Sequence, residues 1–345
     1  MASPTGDSRR YLVIGRQAAL DVVPATMVPY AFFDSVTVNR HYEKDIPEFK
    51  RNNRWQRTAG KTKTKYIEIT AVGRMDSTQV GWALSSLAGP PTGAAVTGWL
   101  FEFGQSQQQP VSATNSMYLT LQWGEGLATT WQAVNCVGSK FAMRYAANGV
   151  WEVTMTFLGT DQTQIAQIDT AYVPPDDESP FEPYQTVFSI GGVPFHVADF
   201  DLTIDNKREP LFGSPLALPA PGAAHGLVPI RFTEGSIQAT YSLTGFFEDA
   251  TEYASGQPYW DAERDAIEVW NIEARDADTD LGGSVHPGFL IDMTRMFGTT
   301  PDLDRSQPNV FQKVSGEAFW DPAAGAAGTG AILTLVNAQA SYAGS

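Results

Sequence analysis

At 345 residues, with 43% hydrophobic side chains and a mean hydropathy of −0.20, the chain has the composition of a globular protein with room for about two cores. Its formal charge of −15 is lopsided: residues 1–180 carry 15 basic and 16 acidic side chains, residues 181–345 carry 8 and 22. One cysteine, Cys136 between Val134 and Val137, excludes an intrachain disulfide and reads as a buried thiol, and an N-terminus without an apolar core disfavours a secretory signal.

Short alternating apolar runs among many Gly, Pro, Thr, Val and Phe predict a mainly β fold. Tyr11 to Gly15 reads as a strand, and Val28 to Asn39 (VPYAFFDSVTVN) as another. Between Arg40 and Lys65 the composition turns basic, with Arg40, Lys44, Lys50, Arg51, Arg54, Arg57, Lys61, Lys63 and Lys65 against Glu43, Asp45 and Glu48. Lying between two strands, this stretch is expected to be a long hairpin arm. A nucleic-acid patch, a solvated loop and a contact arm for an acidic partner all fit a basic run. Tyr66 to Gly73 is the returning strand, and Gln79 to Ala88 a short helix. After the break at Gly89-Pro90-Pro91, strands are expected at Val96 to Phe103, Met117 to Trp123, Thr129 to Cys136 and Lys140 to Tyr145. Asn148-Gly149 predicts a hairpin into Val150 to Phe157. Pro174 to Pro183 reads as a linker, because its Pro-rich acidic composition suits neither strand nor helix.

Beyond the linker, Val193 to Asn206 (VPFHVADFDLTIDN) echoes Val28 to Asn39, at an offset of 165 positions for the first triplet and 166 for Leu202-Thr203-Ile204 against Val36-Thr37-Val38. The segments downstream of each copy repeat in kind: a loop, an alternating strand ending in Gly (Ile237 to Gly245), a helix candidate (Trp260 to Trp270), and a closing strand (Ala331 to Val336, against Trp151 to Phe157). The loops differ. Glu209 to Pro229 is apolar and rich in Pro, Ala and Gly, with Leu211, Phe212, Leu216 and Leu218, where its counterpart is basic. Direct DNA binding gives no reason for one arm to be charged and the other greasy, which favours contact arms. Residues 248–280 form an acidic belt that includes Glu248, Asp249, Glu252, Asp261, Glu263, Asp265 and Glu268, with only Arg264 and Arg275 opposed to them.

Few residues promise chemistry. Asp199, Asp201 and Asp205 alternate along one strand face but lack the Gly turn and distal Glu of a calcium loop. His41, His196, His225 and His286 are isolated, and no nucleophile elbow, phosphate loop or dinucleotide fingerprint occurs. These observations predict a non-enzyme with no cofactor and no metal.

In this order of elements the chain resembles the tail tube proteins of long-tailed, siphovirus-type bacteriophages, in the version that fuses two tube domains. The resemblance rests on Ile14-Gly15-Arg16 followed by Val23-Pro24-Ala25-Thr26-Met27-Val28-Pro29, on Val72-Gly73-Arg74 leading into Gln79 to Gly89, on Cys136-Val137-Gly138-Ser139 through Gly159, and on Phe200 to Asn206. It implies two tandem β-sandwich or barrel domains, each with a flanking helix and a long hairpin arm. The boundaries would be residues 1–173, a linker at 174–183, and 184–345, with the arms at 40–65 and 209–229. It implies rings of three chains with pseudo-sixfold symmetry, stacked head to tail around a lumen. The tube would house the tape-measure protein, meet tail-tip and terminator proteins, and conduct genomic DNA without binding it specifically, in a virion assembled in the host cytoplasm away from membranes. The two arms would then be inter-ring contacts and the acidic belt a lumen or partner face. A β-sandwich module that binds carbohydrate or a cell-surface receptor is the alternative.

Overall fold

The structure, a computed structural model, describes residues 10–18, 20–25, 27–30, 33–45, 61–103, 118–125, 130–166, 180–190, 193–213, 227–233, 235–247, 268–298, 302–304, 310–319, 323, 329–339 and 342. The first half contains β1 (Arg10–Arg16), β2 (Val28–Pro29), β3 (Phe33–Asp45), β4 (Lys61–Arg74), α1 (Val80–Ala88), β5 (Thr92–Ala94), β6 (Gly98–Glu102), β7 (Leu119–Glu125), β8 (Thr130–Ala146), β9 (Glu152–Gly159) and β10 (Gln162–Ile165). The second contains β11 (Thr186–Ile190), β12 (Val193–Phe195), β13 (Val197–Asp205), β14 (Glu209–Phe212), β15 (Pro229–Thr233), β16 (Gln238–Phe247), β17 (Glu268–Arg275), β18 (Gly288–Gly298), β19 (Asp302–Asp304), β20 (Val310–Ala318) and β21 (Ile332–Val336). The fold is mainly β, as the alternation predicts.

The two halves have the same pairing order. In the first, strands pair β2–β1–β7–β8–β9–β4–β3, and β10 also pairs with the start of β8. In the second the order is β12–β11–β17–β18–β20–β16–β13, and β21 also pairs with the start of β18. Among the described residues two strand pairings cross between halves, β8 with β13 and β6 with β21, and an isolated parallel bridge joins Thr64 to Leu227. The first of these fuses the inner strands into one sheet, ordered β3, β4, β9, β8, β13, β16, β20 and finally β18 with β19.

One face of this sheet is apolar. Ile67, Ile69 and Ala71 of β4, Val153, Met155 and Phe157 of β9, and Phe200, Leu202 and Ile204 of β13 are buried at alternate positions. Residues of both halves meet around Trp151, whose ring contacts Tyr145, Phe188, Phe200 and Phe289 and whose Nε1 donates to Thr186 Oγ1 at 2.9 Å. Helix α1 lies on the same side. All nine of its residues are buried, so it is a core helix rather than a surface one. A Cβ on Gly81 would come within 2.3 Å of the Tyr342 ring, and one on Gly138 would press on the Leu87 backbone at 3.1 Å. These two glycines allow the helix to sit against the C-terminal segment and β8. Arg208, from the second half, donates to the Ser86 and Leu87 carbonyls at 3.2 and 3.4 Å, placing a cation at the helix C-terminus.

Several expectations change. Thr129 to Cys136 and Lys140 to Tyr145 are one strand, β8, because Gly138-Ser139 is absorbed as a bulge rather than a break. The helix expected at Trp260 to Trp270 does not hold at its end: Glu268 to Trp270 open β17, and residues 260–267 lie outside the described residues. Partners on both sides, β11 and β18, and the alternation of buried Ile272 and Ala274 with exposed Glu273 and Arg275 override helical spacing. The closing strands also differ in place. Ile332–Val336 occupies the position of β10, while β20 occupies that of β9. Of the linker, 174–179 lie outside the described residues, yet Phe181 is buried against Phe289 and Pro183 opens a 3-10 turn, where a missing N–H costs nothing.

Candidate functional site

The other face of the fused sheet is polar; among the described residues the two-stranded β14–β15 sheet covers one end of it, where Phe232 sits on Val137 and Leu158. Its rows are built from short hydroxyls. Thr37 stands opposite Thr70, which stands opposite Thr156. Val72, Thr154, Ala142, Thr203, Thr240 and Glu317 make a parallel row that runs through the β8–β13 junction. Cross-strand Thr and Ser pairs stabilise such a surface without apolar cover. Several charges on it are partnered: Arg144 lies 3.7 Å from Asp201, Asn39 donates to Glu68 at 3.4 Å, and Gln238 donates to Glu317 at 2.9 Å. Away from the basic hairpin, carboxylates (Glu68, Glu152, Asp199, Asp201, Asp205, Glu317) are interspersed with Arg74, Lys140, Arg144 and Lys313 along these strands. Asp205 is engaged by Lys207 at 3.0 Å, so two of the three alternating aspartates, Asp201 and Asp205, are charge-paired. Among the described residues no three His, Cys, Asp or Glu side chains gather as metal ligands.

At one end of the sheet the two expected arms meet. The β3–β4 hairpin carries the basic stretch, but most of its described cations are engaged within the chain. Arg40 stacks over Trp131 at 5.6 Å, Lys63 pairs with Glu43 at 3.1 Å, and Lys65 pairs with Asp161. Lys44 is exposed; the side chain of Lys61, like Lys50, Arg51, Arg54 and Arg57, lies outside the described residues. The Glu43 carboxyl is held below its usual range by hydrogen bonds from Lys63 and Thr64 and by the Lys63 charge. His41 stacks flat on Tyr66, with centroids 4.4 Å apart, and burial together with Glu68 raises the Tyr66 phenol.

The apolar stretch forms a separate hairpin, β14–β15, anchored by buried Phe232 against Val137 and Leu158, with Tyr66 and Tyr118 packed alongside. Leu211 and Phe212 are half-buried on β14, while Leu216 and Leu218 lie outside the described residues. This hairpin crosses to the basic one: Lys65 N donates to Leu227 O at 3.0 Å and Leu227 N to Lys63 O at 2.8 Å. Ile230 on β15 remains 53% exposed. A further apolar element, which the sequence reading overlooks, comes directly after β1. Leu20 and Val22 are each 49% exposed on a loop held by Gln17, Asp21 and Asn135, with Asn135 donating to Asp21 at 2.7 Å and Gln17 donating to the Val22 carbonyl at 3.1 Å. Of the acidic belt, Glu248, Asp249, Glu252, Asp261, Glu263 and Asp265 lie outside the described residues and Glu268 is described by its backbone alone, opening β17. Glu273, Asp278 and Asp280 are exposed, and Asp276 is buried, accepting from Thr279 Oγ1 at 2.9 Å and from the Asp278 N–H at 3.1 Å.

No curated protein matches the chain. A family model, that of phage tail tube proteins, matches residues 8–333 and so spans both halves and both arms. The chain belongs to the phage tail tube protein family. Membership makes this tail tube protein a structural component of a phage tail that assembles with itself into a tube. The polar sheet face, its two edges and the two arms are therefore the surfaces to consider for assembly.

Proposed function

We propose that the chain is a tandem tube subunit: its halves are two copies of one tube unit, and three chains close a ring of six units whose fused sheets line a lumen. The observation that carries this reading is the sheet itself, buried and apolar on one face and, beyond the end under β14–β15, hydroxyl-rich and bare on the other. A soluble monomer gains nothing from a bare sheet this wide, whereas a conduit needs one. Phosphate contacts from Lys and Arg would make a DNA channel sticky, and the middle of this face offers rows of hydroxyls, with Arg144 paired to Asp201. Genomic DNA would pass without specific contacts, and the same bore would house the tape-measure protein before ejection.

Rings would stack head to tail, a heterologous contact that repeats into a filament. The arms serve this contact: the basic tip with Lys50, Arg51, Arg54 and Arg57 reaches an acidic face of the next ring, and the 209–229 hairpin adds apolar area. The acidic belt, Glu248 to Glu268, is that face or part of the lumen. Tail-tip and terminator proteins would meet the two ends of the stack.

Electron microscopy of the purified chain over a concentration series tests the reading. Rings or tubes of one diameter are expected; a monomer at every concentration would rule it out. Replacing Arg51, Arg54 and Arg57 with Glu is expected to leave rings but abolish stacking. Tubes of unchanged length and yield would remove the basic tip from the inter-ring contact.

A further inference from the structure

The chain contains one complete junction between tube units, and we infer that the same strand pairing, residue for residue, joins one chain to the next; this rests on the self-assembly reading above. Inside the chain the junction is β8 against β13, with Arg144 opposite Asp201, Met143 opposite Leu202 and Ala142 opposite Thr203. The pairing order shows which strands hold the same places at the free ends of the sheet. β3 is the outer partner of β4 as β13 is of β16, and β18 with β19 is the partner of β20 as β8 is of β9. Among the described residues β3 pairs only with β4 and β19 only with β20, leaving two unlike edges. An unpaired edge is a template for strand addition.

Bulges fix the equivalence to the residue. β3 skips Asp34 between the pairs Phe33–Gly73 and Ser35–Val72, and β13 skips Ala198 between Val197–Gly245 and Asp199–Thr244. Gly73 thus matches Gly245, and Val38 matches Leu202. β8 fits three steps against two of β7 between Ala133–Leu121 and Cys136–Leu119, and β18 does the same between Met293–Trp270 and Met296–Glu268. Ala133 thus matches Met293, and carrying the count along the strand matches Met143 to Leu303. The pair Leu303–Gln312 agrees, because it falls where Met143–Val153 falls. Transferred to two chains, the internal register sets Val38 of one copy opposite Leu303 of the next, Thr37 opposite Asp304, and Asn39 opposite Asp302. On β3, alternation assigns Val38 to the core side and Thr37 and Asn39 to the polar face.

Burial at the two places agrees with this. Phe200, Leu202 and Ile204, covered by β8 at the internal junction, are at most 1% exposed. Their counterparts Val36 and Val38 on the free edge are only half-buried. The neighbouring chain supplies the missing cover.

Paired cysteines read the register. In a Thr37→Cys/Asp304→Cys variant, assembled and then oxidised, the single-chain band is expected to shift into a covalent ladder whose top rung counts the copies in a ring. Asn39→Cys/Asp302→Cys should do the same and decides the matter if the first variant does not fold. Thr37→Cys/Asp302→Cys, one diagonal away at about 7–8 Å, lies beyond disulfide reach and should stay a single band. Cys136 stays silent, since it is fully buried and burial pushes its thiol up. Rings seen by microscopy with the diagonal pair linking as well as the direct ones, or with no pair linking, would overturn the register and leave self-assembly standing. Absence of rings from the unmodified chain would instead remove the self-assembly reading, and this inference with it.

Discussion

The loops that join equivalent strands in the two halves have taken opposite forms. Between β3 and β4 the chain extends the same two strands outward and steadies them with charge, Lys63 to Glu43 across the hairpin and Lys65 to Asp161 in the β9–β10 connection. Between β13 and β16 it leaves the sheet altogether, builds the β14–β15 hairpin, and holds it by one buried aromatic, Phe232. A shared pairing order therefore specifies the framework and leaves the loop chemistry free. The two arms still meet, through the backbone bonds of Lys63 and Lys65 with Leu227, so each limits the other's motion.

The comparison breaks most severely at Phe232. Phe232→Ala removes the anchor of the apolar arm and is expected to cost about 3–5 kcal/mol, read from denaturant unfolding. Hydrogen exchange should then show faster exchange at the Leu227 and Lys65 amides while the β9 amides keep their protection. A protected Lys65 in that variant would mean that the arms are independent. Leu227→Pro is a milder cut. It deletes the N–H donated to Lys63 O and leaves a carbonyl without its partner, for about 1–3 kcal/mol. Exchange at the base of β4 should quicken, and no change there would count against the bridge. Arg40→Ala is smaller still, about 0.5–1 kcal/mol, the range for an exposed cation over an indole. It should slightly red-shift Trp131 emission by exposing the ring to water, and an unaltered spectrum would count against the stacking.

How far the sequence shows all this depends on the range of the interaction. Alternation locates β1, β3, β4 and β9, and Asn148-Gly149 locates the turn between β8 and β9, because each is decided within a few residues. Continuity of β8 is harder to read, since Gly138-Ser139 looks like a break until β9 and α1 are seen packed against it. Glu268 to Trp270 lean toward helix until β11 and β18 flank them. The polar face is half legible. Thr70, Thr154, Thr156, Thr240, Ser242 and Thr244 can each be read as outward, but alternation cannot say that they share one surface. That depends on β8 finding β13, well beyond the next turn, which is a tertiary choice. The repeat shows the same limit. The sequence echo sets Val36 against Leu202, whereas the bulges set Val38 there, two positions along and on the same face.

The smallest effect concerns how the charged arm responds to acid. Glu43 accepts from Lys63 Nζ at 3.1 Å and from Thr64 Oγ1 at 3.0 Å, which holds its carboxyl below the ordinary range. A carboxyl depressed in the folded arm contributes above its unfolded pKa and loses that contribution as pH falls through the lower, folded value. The basic hairpin should therefore loosen only on the acid side of the usual carboxylate range. The apolar hairpin should be indifferent there, because its anchor, Phe232, does not titrate. Because Glu43 is exposed, the effect belongs to local order and not to global stability. NMR titration of the Glu43 carboxyl, with and without Lys63→Gln, measures it. The midpoint is expected to rise toward the ordinary glutamate value when the ammonium is removed, and added salt should move the unsubstituted protein in the same direction. A midpoint that ignores both changes would show that Lys63 does not hold this strand pair, and the contrast between a charge-steadied arm and an aromatic-anchored one would rest on Phe232 alone.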